Sequence, residues 1–407
     1  MVKNRKAIYY YLFDWANSPF STIIITFIFS SYFVNAIAKS EIEGTALWGW
    51  TISLSAMFVA ILGPIIGVIA DKKRNFSKYM ITVFTILISV SCCLLWFSQP
   101  VTNFLVFTIL IIFVSNTLFE LSQIFYNSQL PYFKNNIKMG QFSGKAWAVG
   151  YLGGIFCLLI ILFLFVLPEE NFLNLDKNNF EHIRICGPIV GIWYLFFSIP
   201  FLYKYKKAEI NYTQNNKIST LIMETLKNKN TFNFLFARML YTDGLITLFS
   251  FGGIYASGTF NFSFNEIIYF GIALNITAAV GAYFFGFLED KLGIKKVIII
   301  SLLCLIIVSI LILLIESKLY FWFLGITLGL FIGSIQSSSR TALIKLSKET
   351  NLNRMFGFYA LSGKATNFLG PLLVASFTTF FESQRAGMSS ILIFLILGLL
   401  FILRTRF

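Results

Sequence analysis

Charged side chains are scarce in this chain: Asp, Glu, Lys and Arg make up 12% of 407 residues, against 57% hydrophobic and a mean hydropathy of +0.77. That balance excludes an ordinary soluble globular protein. Histidine is nearly absent, His182 being the single copy, so neither a histidine triad nor a His-based metal site is available. No paired acidic metal-binding motif replaces it, and neither an enzyme nor a metal or other cofactor is expected. The few cysteines, Cys92, Cys93, Cys157, Cys186 and Cys304, lie in or beside apolar stretches, where they read as small buried hydrophobes rather than disulfide partners. Alternating strands of about ten residues separated by turns are missing as well, which excludes a transmembrane barrel. No loop resembles a signalling domain.

What fills the chain instead is a succession of apolar runs, each long enough to cross a hydrocarbon core of roughly 30 Å. They predict twelve membrane helices at about 9–38, 45–70, 77–98, 103–131, 143–167, 183–203, 232–258, 265–288, 294–315, 319–343, 355–381 and 388–404. Helices are the expected form because lipid offers backbone groups no partner outside the segment. The first run is too long for a signal-peptide core, and Asp14 interrupts its start, so it reads as a span. The net charge of +14 could suggest nucleic acid, but its distribution argues otherwise. If the amino terminus is cytoplasmic, most Lys and Arg fall in the tail, the inward loops and the carboxyl end, including Lys3, Lys206, Lys207, Arg354 and Arg404. This is the positive-inside pattern with both termini cytoplasmic, and a nucleic-acid partner is not expected.

Two short signatures recur at one spacing. Gly67-x3-Asp71 with Lys72, Lys73 and Arg74 returns as Gly286-x3-Asp290 with Lys291, Lys295 and Lys296. Ser143-Gly144-Lys145-Ala146 returns as Ser362-Gly363-Lys364-Ala365; 290 minus 71 and 364 minus 145 both give 219. The chain reads as a tandem duplication with six spans per copy, so both copies enter the membrane in the same orientation. The expected domains are an amino-terminal bundle at 1–203, a cytoplasmic linker at 204–231 and a carboxyl-terminal bundle at 232–407. Ile218, Leu221, Ile222 and Leu226 at helical spacing give the linker a short amphipathic helix or, on the plainer reading, a basic tether.

Polar residues are concentrated with a period of three spans. Span one carries Asp14, Asn17, Ser18, Ser21 and Thr22; span seven carries Arg238, Asp243 and Thr247; span ten carries Gln336 to Arg340. Span four carries Asn116, Glu120, Gln123 and Asn127 at i, i+4, i+7 and i+11, a single stripe on one helix face. An ionisable group inside a span costs roughly 2.5–3.5 kcal/mol on insertion scales, so its place is informative. One reading is interhelical hydrogen bonding, worth about 0.6 kcal/mol per contact. The other is a central polar cavity lined by the first and fourth helix of each copy, with Asp14, Asn17, Asn116, Glu120, Gln123, Asn127, Arg238, Asp243 and Gln336 along a substrate path. Glu120 is either a proton carrier or a structural partner of Arg238, Arg340 or an amide.

The stretch Tyr10-Tyr11-Leu12-Phe13-Asp14-Trp15-Ala16-Asn17-Ser18-Pro19-Phe20 resembles the first-helix signature of the vacuole-effluxer family of the major facilitator superfamily. That family contains fungal autophagy-associated amino-acid effluxers and bacterial relatives. The resemblance continues through Phe125 to Pro131, Ser143-Gly144-Lys145 with Gly150 to Gly154, Ala237-Arg238 with Tyr241 to Gly244, and Gln336 to Arg340 with Phe356 to Ala365. It implies an all-α major facilitator fold of twelve helices in two parallel six-helix repeats, and efflux of an amino acid or similar small solute. The mechanism expected is secondary active transport by alternating access, proton-coupled if Glu120 is the proton carrier. The general loop motif of the superfamily has a second glycine that Gly293 keeps and that the first copy, Asp71-Lys72-Lys73-Arg74-Asn75, lacks. Short loops point to a bacterial-type member in the cell inner membrane, acting as a monomer. The superfamily packs its second helix against the eleventh and its eighth against the fifth. The resemblance therefore implies a cytoplasmic gate of Gly67, Asp71, Lys145, Gly286, Asp290 and Lys364, with the lysines or nearby backbone N–H groups meeting the aspartates. The rival readings are a lipid or lysolipid flippase of the same fold and a non-transporting membrane receptor or scaffold.

Overall fold

The computed structural model describes residues 5–73, 75–134, 136–170, 173–205 and 217–407. Lys3, Arg74, Lys206 and Lys207 of the basic stretches lie outside them. The described residues form helices and connecting turns, with no strand. Eleven of the helices are long and apolar enough to cross a membrane: Lys6–Ile37, Glu41–Lys72, Phe76–Phe97, Thr102–Ser128, Met139–Val166, Glu181–Lys204, Lys229–Phe260, Glu266–Leu292, Ile294–Leu314, Lys318–Leu346 and Gln384–Arg404. They correspond to spans one to ten and span twelve.

Span eleven departs from the continuous helix expected at 355–381. It is built as two pieces, Leu352–Ser362 and Leu369–Phe381. At the break the hydrogen-bond ladder tightens: Lys364 N donates to Leu361 O at 3.0 Å and Leu369 N to Thr366 O at 2.7 Å, both i to i−3. The sequence supplies the cause. Gly363 opens the stretch at a cost in helix propensity. Pro371 at its far side has no N–H for the Asn367 carbonyl and disfavours helical geometry in the residue before it.

The chain divides into two compact units. The first comprises Met1–Val59, Arg74–Asn135 and Val149–Ala208; the second comprises Ala60–Lys73, Asn136–Ala148 and Glu209–Phe407. The ends of spans two and five that carry the repeated signatures thus belong to the second unit.

In the first unit, rings knit span one to spans four and six. Tyr10 and Phe13 stack on Tyr126 at centroid distances of 4.3 and 4.7 Å, and Phe13 meets Phe201 at 4.6 Å. Such pairs are worth about 0.5–1.5 kcal/mol beyond the area they bury. Pro19 denies the Trp15 carbonyl its usual donor, and the Trp193 indole N–H from span six takes that place at 3.2 Å. Beyond Pro19 the helix widens into π turns at Phe20–Phe27 and Phe33–Ile37. Span five lies against this kink through Gly150 and Gly153: an added Cβ would stand 2.9 Å from Ser18 Oγ or 2.6 Å from Trp15 O.

In the second unit, span eight packs on span ten where Gly333 meets the Ala278 carbonyl and Gly281 meets the Leu330 carbonyl. Without a hydrophobic drive between helices in lipid, this close backbone approach is the main source of helix pairing. The turn after span eight falls on Gly293 at φ +91°; the turn after span two falls on Asn75, left-handed at φ +66°. Asparagine tolerates the left-handed region better than most side chains, whereas Gly293, at ψ 150°, takes a conformation kept essentially to glycine. The linker helix, Ile218–Lys227, buries Leu221 and Thr225.

Candidate functional site

Two buried amide nitrogens stand out in the first unit. Asn17 Nδ2 of span one and Gln123 Nε2 of span four have no hydrogen-bond partner. The ring contacts Phe20–Phe119 and Phe13–Tyr126 bracket them. In antiparallel helices that register puts Asn17, four residues after Phe13, level with Gln123, four residues after Phe119, each on the face its helix turns to the other. A buried donor without an acceptor costs about 1–3 kcal/mol, so a pair of them at one height calls for a ligand that accepts hydrogen bonds.

The rest of the span-four stripe is split. Asn116 is buried and donates to Ser55 Oγ of span two at 2.8 Å, a structural bond. Glu120, Gln123 and Asn127 are half-buried, and Asn127 Nδ2 donates back to the Gln123 carbonyl at 2.7 Å. Asp14 is buried, and its carbonyl accepts from Ser18 Oγ at 2.9 Å.

In the second unit, Arg238 closes the first piece of span eleven. Its guanidinium donates to Tyr359 O at 2.5 Å and Ser362 Oγ at 2.8 Å, and lies 3.3 Å from the centre of the Tyr359 ring. A cation at a helix C-terminus meets the negative end of the helix dipole. Asp243 is buried in span seven, and Gln336 is half-buried in span ten. Arg340 is the largest fully buried side chain. It donates from Nε to Ser143 Oγ at 3.1 Å and from a terminal nitrogen to Ser143 O at 3.0 Å, above the Trp147 ring. Both arginines named as alternatives for Glu120 are therefore engaged inside this unit.

The repeated aspartates each hold the start of a helix. Asp71 accepts from Asn353 N at 3.1 Å, Asn353 Nδ2 at 3.0 Å and Arg354 N at 2.9 Å. Asp290 accepts from Gly140 N at 3.0 Å and Gln141 N at 2.9 Å. An aspartate at the end of its own helix opposes that helix's dipole, and the positive N-terminus of a second helix offsets it. Gly67 and Gly286 allow the approach, since a Cβ there would come within 2.5 Å of Asn353 O or 2.7 Å of Gly140 O.

The donors are backbone and Asn353 amides, not the repeated lysines. Lys145 lies 5.3 Å from the Phe287 ring centre, and Lys364 sits in the interruption of span eleven. The reason is a register shift. Gly144 faces the Ala282 carbonyl and Gly357 faces the Gly63 carbonyl; Ala282 and Gly63 are 219 apart, but Gly357 and Gly144 are 213 apart. The two Ser-Gly-Lys-Ala copies consequently sit six residues out of step: Ser143 in the opening turns of span five, Ser362 at the end of a helix.

Glu289, beside Asp290, extends this site and is not among the residues expected from sequence. It is buried and accepts from Ser338 Oγ and Thr341 Oγ1, both at 2.6 Å. The acidic pair Glu289-Asp290 facing the Ser337-Ser338-Ser339-Arg340-Thr341 run was the available signal. Arg354 is another addition: besides its N–H to Asp71, its guanidinium donates to Leu221 O of the linker helix at 3.1 Å and lies 3.7 Å from Glu224.

The architecture is that of the major facilitator superfamily. A fucose transporter solved in its outward conformation superposes with a TM-score of 0.78 over 99% of both chains at 11% identity, and the human organic anion transporter MFSD10 at 0.75 over 99% of this chain and all of its own, at 12%. Within that fold the sequence is more particular. The profile of the family described as vacuole effluxer Atg22 like matches residues 32–406, and the chain belongs to that family. It is 25% identical over 398 residues to the uncharacterized MFS-type transporter YxiO of Bacillus subtilis, covering 95% of this chain and 92% of that one. It is 21% identical to autophagy-related protein 22 of Kluyveromyces lactis, covering 86% and 77%.

Proposed function

We propose that this protein is a secondary active transporter that moves a small hydrophilic solute, an amino acid or a close analogue, out of the cytoplasm by alternating access coupled to protons. The observation that carries this reading is the level pair of unpartnered buried amide nitrogens, those of Asn17 and Gln123, on the first and fourth spans. Two N–H donors at one height suit the carboxylate of an amino acid, and in this fold the substrate site lies near the bilayer midplane. Family membership supports it: the fungal relatives are autophagy-related proteins by name, and the family takes its title from vacuolar efflux. Asp14, Glu120, Asn127, Arg238 and Gln336 belong to the same path on this reading.

The gate follows from the paired aspartates. Asp71 and Asp290 tie spans two and eight to the beginnings of spans eleven and five, on the side that the Lys and Arg distribution makes cytoplasmic. On this reading the two ties close the cytoplasmic side, and release of both opens the inward path. A bacterial-type inner membrane is the setting on this reading, in keeping with the short loops.

Uptake of radiolabelled amino acids into proteoliposomes, with and without an imposed proton gradient, tests the proposal directly. Gradient-dependent transport that Asn17→Ala and Gln123→Ala each reduce at least about tenfold, equivalent to loss of one hydrogen bond to a charged group, is the expected result. Movement of fluorescent lysolipid with no amino-acid flux would favour the flippase reading instead.

A further inference from the structure

Asp243 is 1% exposed, and neither of its carboxylate oxygens accepts a hydrogen bond. The Thr366 hydroxyl and the Gly370 N–H face it, from the interruption of span eleven and from the first turn of Leu369–Phe381, without closing a bond of proper distance and angle. The two spans are pressed together at this point. Thr247 Oγ1 donates to the Asp243 carbonyl at 2.7 Å, and a Cβ on Gly370 would collide with that hydroxyl and stand 3.3 Å from the same carbonyl.

The charged and titratable neighbours have partners of their own. Arg238 binds Tyr359 O and Ser362 Oγ, Tyr241 shares a hydrogen bond with Ser339, and Arg340 of span ten is bound to Ser143. Tyr359 lies beneath Arg238, and Lys364 sits two residues before Thr366 in the interruption. Span twelve presents Phe394 and Leu395 at Gly244. A carboxylate at membrane depth with no partner is held neutral by a proton or balanced by a cation. The donors that face it decide between them: a backbone N–H cannot coordinate a metal ion, and one hydroxyl is too few oxygens for a hard cation, which takes six or so.

We propose that Asp243 binds a proton, and that its charge sets how the second piece of span eleven seats on span seven. The inference rests on reading the chain as a proton-coupled transporter, and it moves the coupling group from Glu120 to Asp243. In the ionised form the carboxylate attracts the positive N-terminus of Leu369–Phe381 and draws in the Thr366 hydroxyl and Gly370 N–H. Hydronium delivers the proton: an O–H bond forms on one carboxylate oxygen as one hydronium O–H bond breaks, and a water molecule leaves. With the charge gone, that attraction ends, and the helix moves about the non-helical stretch 363–368.

Infrared difference spectra of the full-length protein in detergent, recorded as pH is stepped, test this without any solute. A carboxylic C=O band should titrate in the wild type, persist in Glu120→Gln, vanish in Asp243→Asn and shift in Asp243→Glu, the last serving as control should the asparagine variant misfold. In parallel, amide hydrogen exchange over residues 363–372 should change severalfold across the same titration in the wild type and stay flat in Asp243→Asn. A band that survives Asp243→Asn, disappears in Glu120→Gln, or is displaced by sodium chloride at fixed pH would overturn the proposal, as would exchange that ignores pH in the wild type. Because no substrate enters, an absence of transport would count against the transporter reading alone.

Discussion

Spans five and eleven both begin on an aspartate, yet five runs helical from Met139 to Ile161 while eleven stops at Ser362 and resumes at Leu369. The contact register explains the difference. Counting 213 residues back from Pro371 and Gly370 leads to Leu158 and Cys157 in span five, residues that continue a helix without difficulty. The same latch is thus mounted on a stiff rod in one copy and on a hinged one in the other. Their surroundings diverge in step. The Asp290 side is backed by the buried Glu289, Ser338, Thr341, Arg340 and Ser143 network, whereas the Asp71 side is backed by the linker helix through Arg354. The duplicated aspartate tie is present in both copies, while the helices it holds differ, one continuous and one interrupted.

Arg340→Ala breaks this comparison hardest. Removing this buried guanidinium deprives Ser143 of two donors and Glu289 of a nearby positive charge, and a loss of about 3–5 kcal/mol is expected, read as thermal unfolding in detergent. Next, Leu158→Pro transfers the proline of span eleven into span five and should cost roughly 3 kcal/mol; a variant as stable as the wild type would show that span five is not a rod. Asp71→Asn and Asp290→Asn should each lose about 1 kcal/mol, the former more because Asp71 holds three donors to Asp290's two. Equal losses would make the Asn353 side chain irrelevant. The smallest effect belongs to Pro371→Ala, expected to change stability by no more than about 1 kcal/mol while slowing amide exchange in 363–368. Unchanged exchange would assign the hinge to Gly363 instead.

The number and type of membrane elements were legible because a span needs a long apolar run, and eleven of the helices follow such runs. Span eleven was not, because its interior is apolar enough to pass as continuous; the break is marked only by Gly363, Gly370 and Pro371, residues that membrane helices often tolerate. The aspartate signature at 219 pointed to two related sites, but Lys145 and Lys364 were read as equivalent on an echo of four residues. Backbone approach at Gly144 and Gly357 sets a different register, and only coordinates reveal which carbonyl a glycine lies against. Glu289 went unread for a similar reason: beside Asp290 in sequence, it looked like one more helix-end charge, and its burial depends on the hydroxyls of span ten.

Arg354 is clasped at both ends, its N–H by Asp71 at 2.9 Å and its guanidinium by the Leu221 carbonyl at 3.1 Å. Mechanically that makes the linker helix a lever arm resting on the latch. A force that lifts the arm is delivered to a hydrogen bond at its pivot, so a tug on residues 218–227 loads the Asp71 tie, while the Asp290 tie, with no such arm, bears none of it directly.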